Sequence, residues 1–201
     1  MALEKRKKKF FDVEMPLVGK QTQMQAYEIP ELDGRLMKYD LTRILRGKSI
    51  LMQFKVSIKD EKPIAIPTGI VLMPYFLRRI IRKGTDYVED SFSVECKDAK
   101  LKIKPFLITR RKVSKAVRRA LREKVKEEIE KYAKDKTTER IFEDILKNKI
   151  QKELSVILKK IYPLSLCEIK SLEIEKFIEI KETPAEKKAN KKETEEELEK
   201  E

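Results

Sequence analysis

"KLKIKPFLITRRKVSKAVRRALREKVK", residues 100–126, decides the fold, because the spacing of its apolar residues changes partway through. Up to Thr109 the pattern is that of a strand interrupted at Pro105. Beyond it, valines, alanines and a leucine recur at intervals of three and four. That is the spacing of an amphipathic helix. Strand patterns lie on both sides of this helical region, so the chain is of the α+β class. The same stretch is densely charged: residues 110–126 hold nine Lys or Arg and a single Glu.

Working toward the N-terminus, residues 86–109 read as two strands around a turn at 97–100. "RLMKYDL", residues 35–41, alternates Met37, Tyr39 and Leu41, and "ILMQFKVSI", residues 50–58, alternates Ile50, Met52, Phe54, Val56 and Ile58. "IAIPTGIVL", residues 64–72, continues as a third strand in which Pro67 implies an edge or a bulge. Pro74 opens a short basic helix, "YFLRRIIRK", with apolar Phe76, Leu77, Ile80 and Ile81 beside Arg78, Arg79, Arg82 and Lys83, stopped by Gly84. Residues 10–34 show no sustained period and read as an extended, surface-following segment behind a basic arm, residues 1–12.

Toward the C-terminus, residues 111–134 and 137–161 predict an antiparallel pair of helices, with Thr137 or Thr138 as a cap and Pro163 as the stop. Residues 164–180 return to strand composition, and their alternation slips near residues 168–171 as a bulge would cause. Six or seven strands are expected in all. From Lys181 onward the composition is almost all Lys, Glu, Ala, Thr and Asn, which predicts a disordered charged tail. The expected organisation is therefore an arm (1–12), one α+β RNA-binding domain (13–182) and a tail (183–201).

Of 201 residues 40% are hydrophobic, enough for an independent core, and the net charge is +13. Residues 183–201 hold seven Glu and five Lys, so they subtract two charges and leave +15 on residues 1–182. Such a body favours a polyanion, nucleic acid before an acidic membrane surface. No run approaches the roughly 18 apolar residues of a spanning helix, and no secretion signal is read, so the expected location is cytoplasmic. Cys96 and Cys167 belong to no metal or disulfide pattern, and Cys96 falls in phase with Val88, Phe92 and Val94 as a core residue. The chain has no histidine, which removes the commonest general base. No carboxylate cluster suggests a catalytic or metal site, and none of the five glycines forms a cofactor fingerprint. "RGKS", residues 46–49, fails as a phosphate loop because Thr42 stands where its first glycine is needed.

Wound at about 100° per residue, Arg111, Lys115, Arg118, Arg119, Arg122 and Lys126 fall in one arc, with Val113, Ala116, Val117, Ala120 and Leu121 opposite. Acids that would neutralise the arc gather late, at Glu127, Glu128 and Glu130. Arginine's planar, bidentate guanidinium suits phosphates and bases, and small Val and Ala suit close packing within the protein. The candidate RNA-binding residues are thus this arc with Arg110 and Lys112; the arm's Lys5, Arg6, Lys7, Lys8 and Lys9; and Arg78, Arg79, Arg82 and Lys83.

The order of "FFDVEMP", "DGRLMKYDL", "GIVLMPYFLRRIIRK", "KDAKLKIKPFLITRR", "SKAVRRALREKVKEEI" and "KKIYPL" resembles the archaeal and eukaryotic small-subunit ribosomal protein family called S-three-A-e, over roughly residues 10–175. Two departures stand out: Gly84, Thr85, Asp86 and Tyr87 where the family commonly continues with arginines, and Ala99 where it often has glycine. The resemblance implies a β-barrel-like core flanked by helices and a place on the small-subunit platform near the messenger exit. It also implies contacts with small-subunit rRNA and neighbouring proteins, messenger RNA within reach, and no enzymatic activity or cofactor. The alternatives are a free nucleic-acid-binding protein and a metal-dependent nucleic-acid-processing enzyme.

Overall fold

The computed structural model describes residues 7–45, 47–59 and 62–177; Lys5, Arg6 and the tail expected at 183–201 lie outside them. In chain order the elements are β1 (Lys9–Met15), β2 (Lys20–Ala26), a 3-10 turn (Ile29–Leu32), β3 (Leu36–Asp40), β4 (Ile50–Lys59), β5 (Lys62–Leu72), α1 (Pro74–Ile80), β6 (Tyr87–Glu89), β7 (Phe92–Glu95), β8 (Ala99–Thr109), α2 (Lys115–Lys134), α3 (Thr138–Leu146), α4 (Lys149–Leu158) and β9 (Leu164–Phe177).

The strands form one mixed sheet in the order β2-β1-β5-β9-β8-β6, with β4 and then β3 on the other side of β5, and β7 beside β8. The α+β class holds. Among the described residues the hydrogen-bonded path stays open, and it has nine strands rather than about six or seven. Two of the additional strands are β1 and β2, a hairpin where a surface-following segment was expected. Its inward positions include Thr22 as well as Val13, Met15 and Ala26, while Gln21, Gln23 and Gln25 face water, so the hydrophobic alternation is faint. Gly19, at φ +66°, closes the turn. Another arises because the strand expected before residue 97 breaks at residues 90–91 into β6 and β7, which pair with successive parts of β8.

Pro67 does mark a bulge. Phe54 pairs with Pro67 and Gln53 with Gly69, leaving Thr68 without a partner, so β5 accommodates a residue with no N–H while lying between β4 and β9. At Gly69 an added Cβ would lie 3.2 Å from the Leu172 carbonyl oxygen, so glycine permits β9 to approach. β8 and β9 pair along their length, and Lys104 faces Ser171 while Pro105 faces Ile169. The slip expected at residues 168–171 is thus a bulge at Lys170. The ladder shifts register at Pro105 without interrupting β8.

Helix α2 starts at Lys115, not near residue 111, where Ser114 caps it by accepting the Val117 N–H at 3.4 Å. Leu121, Val125, Ile129 and Ala133 are its buried stripe, packed toward β6 and β7. Each large member stabilises the fold by about 1.5–3 kcal/mol. Ala116 is exposed, so the apolar face is rotated from the one expected. Thr137 occupies the next cap position without a side-chain bond; Asp98 instead accepts the Thr138 N–H at 3.2 Å. The second long helix is broken at Asn148, whose φ of +57° is tolerated by asparagine better than by most residues. Asp144, 2% exposed, ties the three helical pieces. It accepts from Tyr132 at 2.8 Å and Lys136 at 2.9 Å, and Lys149 lies 3.4 Å away. Cys96 is buried and donates to the Ala99 carbonyl at 2.7 Å.

Candidate nucleic-acid interface

Three loops carry the exposed cations of one end of the sheet, and hydrogen bonds from Asp86 and Thr109 hold two of them together. Thr109 N–H and Thr109 Oγ1 each donate to the Asp86 carbonyl at 2.9 Å, and Asp86 N–H donates back to Thr109 Oγ1 at 3.1 Å. The Asp86 carboxylate accepts the Val113 N–H at 2.9 Å. The loop after α1, with Arg82 and Lys83, is thereby fastened to residues 110–113, with Arg110, Arg111 and Lys112. The third loop joins through Arg110 N–H, which donates to the Pro163 carbonyl at 3.4 Å. That contact brings Lys159 and Lys160 of the turn after α4 alongside.

Arg82, Lys83, Arg110, Arg111, Lys112, Lys115, Lys159 and Lys160 are all exposed, and none has an ionic partner among the described residues. Eight cations at one end, with their loops held by backbone bonds, form a surface that a phosphate chain would neutralise. Sequence reasoning missed Lys159 and Lys160. Their signal was present in "KKIYPL", a basic pair just past a helix end, but their neighbours are distant in sequence.

The expected arc along α2 is largely neutralised beyond its first turn. Arg111 precedes the helix and so is not on the arc at all. Arg119 Nε pairs with Glu123 at 2.8 Å, Lys124 with Glu127 at 3.0 Å and Glu128 at 3.2 Å, and Lys126 with Glu130 at 3.9 Å. Arg122 Nε donates to the Glu89 carbonyl at 3.2 Å, and Arg118 is half-buried. Only Lys115 joins the loop cluster directly.

Helix α1 ends at Ile80, two residues before Arg82, so the basic helix expected to reach residue 83 divides. Arg78 and Arg79 stay on it, exposed, with the Arg79 guanidinium 5.5 Å from the Phe76 ring centroid. Lys7, Lys8 and Lys9 lie elsewhere. Strand β1 runs parallel to β5 with Glu14 beside Ile64, so they sit off the start of β5 while α1 leaves from its end. At about 3.3 Å per residue the two groups are up to roughly 40 Å apart. Lys8 Nζ sits 5.6 Å from the Tyr27 ring centroid.

Lys48 of the failed phosphate loop is turned inward. Its Nζ lies 2.6 Å from Glu168 Oε2 and 2.5 Å from Asn148 Oδ1. Burial and the neighbouring Glu168 push the Cys167 thiol up to about 12, so it is not a nucleophile near neutral pH. Among the described residues no His, Cys, Asp and Glu side chains gather as a metal site requires, and no helix is long and apolar enough to cross a membrane.

The Ribosomal S3Ae family matches residues 4–177. A protein of Methanothermobacter thermautotrophicus named small ribosomal subunit protein eS1 is 38% identical over 95 residues, covering 47% of this chain and 49% of its own. Proteins of the same name in Saccharolobus islandicus and Nanoarchaeum equitans are 27% and 24% identical over 180 and 167 residues. Those alignments cover 86% of this chain and 86% of the first, and 79% of this chain and 84% of the second.

Proposed function

This chain belongs to the Ribosomal S3Ae family, and we propose that it binds small-subunit rRNA through the cluster formed by the three stapled loops. As a member it is a structural constituent of the small ribosomal subunit, associated with rRNA and other ribosomal proteins. A place on the platform near the messenger exit, with messenger RNA within reach, is the finer reading. So is a second contact through the basic arm.

The observation that carries the reading is the set of eight cations, without ionic partners among the described residues, on loops from three parts of the chain and at the start of α2. Folded RNA presents phosphates and 2′-hydroxyls to such a surface, and a grip on them positions a protein without reading bases. Arg78 and Arg79 extend the surface along α1, whereas Arg119 and Lys126 contribute little because their carboxylate partners already neutralise them.

Paired substitutions test this. Arg111→Glu with Lys160→Glu should weaken binding to a small-subunit rRNA fragment and lower its log-log salt slope by about 0.7 to 0.9 per lost phosphate contact. Arg119→Glu with Lys126→Glu should change the slope far less. Equal effects from the two pairs would mean that general charge, not the loop cluster, governs binding. Cosedimentation with small subunits through high salt checks the structural role, and salt-matched affinity for duplex DNA separates it from free DNA binding.

A further inference from the structure

Beside α1 a groove of about 790 Å³ opens against β6, β8 and β9, within the range of about 300–1,000 Å³ usual for ligand sites. We propose that it receives an unpaired nucleobase of the RNA, stacked on Tyr87; the proposal rests on the RNA-binding reading above. Tyr87 lies on Phe106, with ring centroids 5.9 Å apart and planes 25° from parallel, yet remains 52% exposed. One face of its ring is braced by the protein while the residue stays open to a second flat partner. Single-stranded bases stack on aromatic residues held in this way.

Beneath the floor of the groove lies one unpaired hydroxyl, sealed from solvent. Ser171, in the strand bulge at Lys170, is 5% exposed, and its Oγ has no hydrogen-bond partner. Buried hydroxyls are almost always paired, because leaving one unpaired forfeits its hydration with no return. At the rim, Arg78 and Lys104 have no ionic partner among the described residues, whereas Lys170 is committed to Glu89 at 2.6 Å.

An apolar peptide would fill the groove but leave both rim cations without counter-charge. A nucleotide supplies a flat face, a polar edge and a phosphate together. Arg78 also lies one turn before the loop carrying Arg82 and Lys83, so RNA held by the loop cluster passes the mouth of the groove.

The test uses the full chain and a single-stranded hexa-adenylate RNA carrying one central 2-aminopurine, whose fluorescence is quenched on stacking. Tyr87→Phe should keep the quench and the affinity. Tyr87→Leu should abolish the quench and weaken binding roughly 5- to 100-fold. Arg78→Gln with Lys104→Gln should weaken binding while leaving the quench of the bound RNA and the free protein's melting temperature in place, a separation that loss of folding cannot produce. Unchanged affinity and quench in Tyr87→Leu overturn the proposal. If Arg111→Glu with Lys160→Glu still loses rRNA in that case, the wider RNA reading survives; if it does not, both fail. A photoactivatable benzophenone placed at residue 81 should attach to RNA in reconstituted small subunits, and attachment to a protein instead would assign the groove to a peptide and refute the base.

Discussion

Lys48→Met removes the ammonium that joins three distant elements, and the structure sets the size of its effect. Lys48 Nζ serves Glu168 of β9 and Asn148 at the break between α3 and α4, and the Lys48 and Glu168 side chains are each only 12% exposed. Removing one partner of a buried pair costs about 3–5 kcal/mol, because the remaining charge is stranded. Here a neighbouring groove of about 640 Å³ admits some water to Glu168, so the expected loss is about 2–4 kcal/mol. For a chain of this length that lowers the melting temperature by roughly 5–15 °C. Glu168→Gln added to Lys48→Met removes the stranded charge and should recover at least about half of the loss, giving a coupling of roughly 1–3 kcal/mol. Urea unfolding of the wild type, both single variants and the double variant measures each quantity at a common denaturant slope. A Lys48→Met protein within about 0.5 kcal/mol of wild type, or losses that simply add, would refute the account. Adding ATP with magnesium should not shift the wild-type midpoint, because the lysine is already engaged.

Burial would push the Asp144 carboxyl up, but hydrogen bonds from Lys136 and Tyr132 outweigh it and hold the group at about 2, below its ordinary 3.8. Its folded value being the lower, it contributes stability above about pH 4 that is lost as pH falls toward 2. Between pH 5 and 2 the wild type should therefore lose about 2 kcal/mol more than Asp144→Asn in denaturant titrations, and parallel curves would count against the network. Asp86→Ala removes the acceptor of the Val113 N–H and loosens residues 110–113, so rRNA affinity should fall about 3- to 10-fold although an acid has been deleted from a basic surface. Tighter binding would show that net charge outweighs loop order.

Strand β4 was legible because Ile50, Met52, Phe54 and Val56 are all buried at alternate positions, so period and burial coincide. The β1–β2 hairpin was not. Phe10 is 63% exposed while Thr22 faces inward, so side-chain chemistry there does not report the face. The break at Asn148 was hidden for another reason. Ile141 and Ile145 before it, and Ile150, Leu154 and Leu158 after it, are all buried, so each side carries a helical stripe. A single residue in the left-handed region interrupts the backbone without erasing that pattern. The bulge at Lys170 was visible because burial passes to adjacent residues, Ser171 and Leu172, and alternation cannot do that.

The proposed RNA-binding surface divides in the same way. The sequence displays its cations, and even the Arg119–Glu123 pair is readable as a four-residue spacing. Which cations act together is decided by groups that carry no signal of their own. The Thr109 hydroxyl and the Asp86 backbone meet across 23 residues of sequence, and the Pro163 carbonyl takes the Arg110 amide from farther still. These bonds order the loops before RNA arrives, so less conformational freedom is lost on binding. An acid can therefore strengthen attachment to a polyanion when it acts through geometry. On the proposed interface Asp86 is such an acid, since its carboxylate accepts a backbone N–H and fastens residues 110–113 to the loop carrying Arg82 and Lys83.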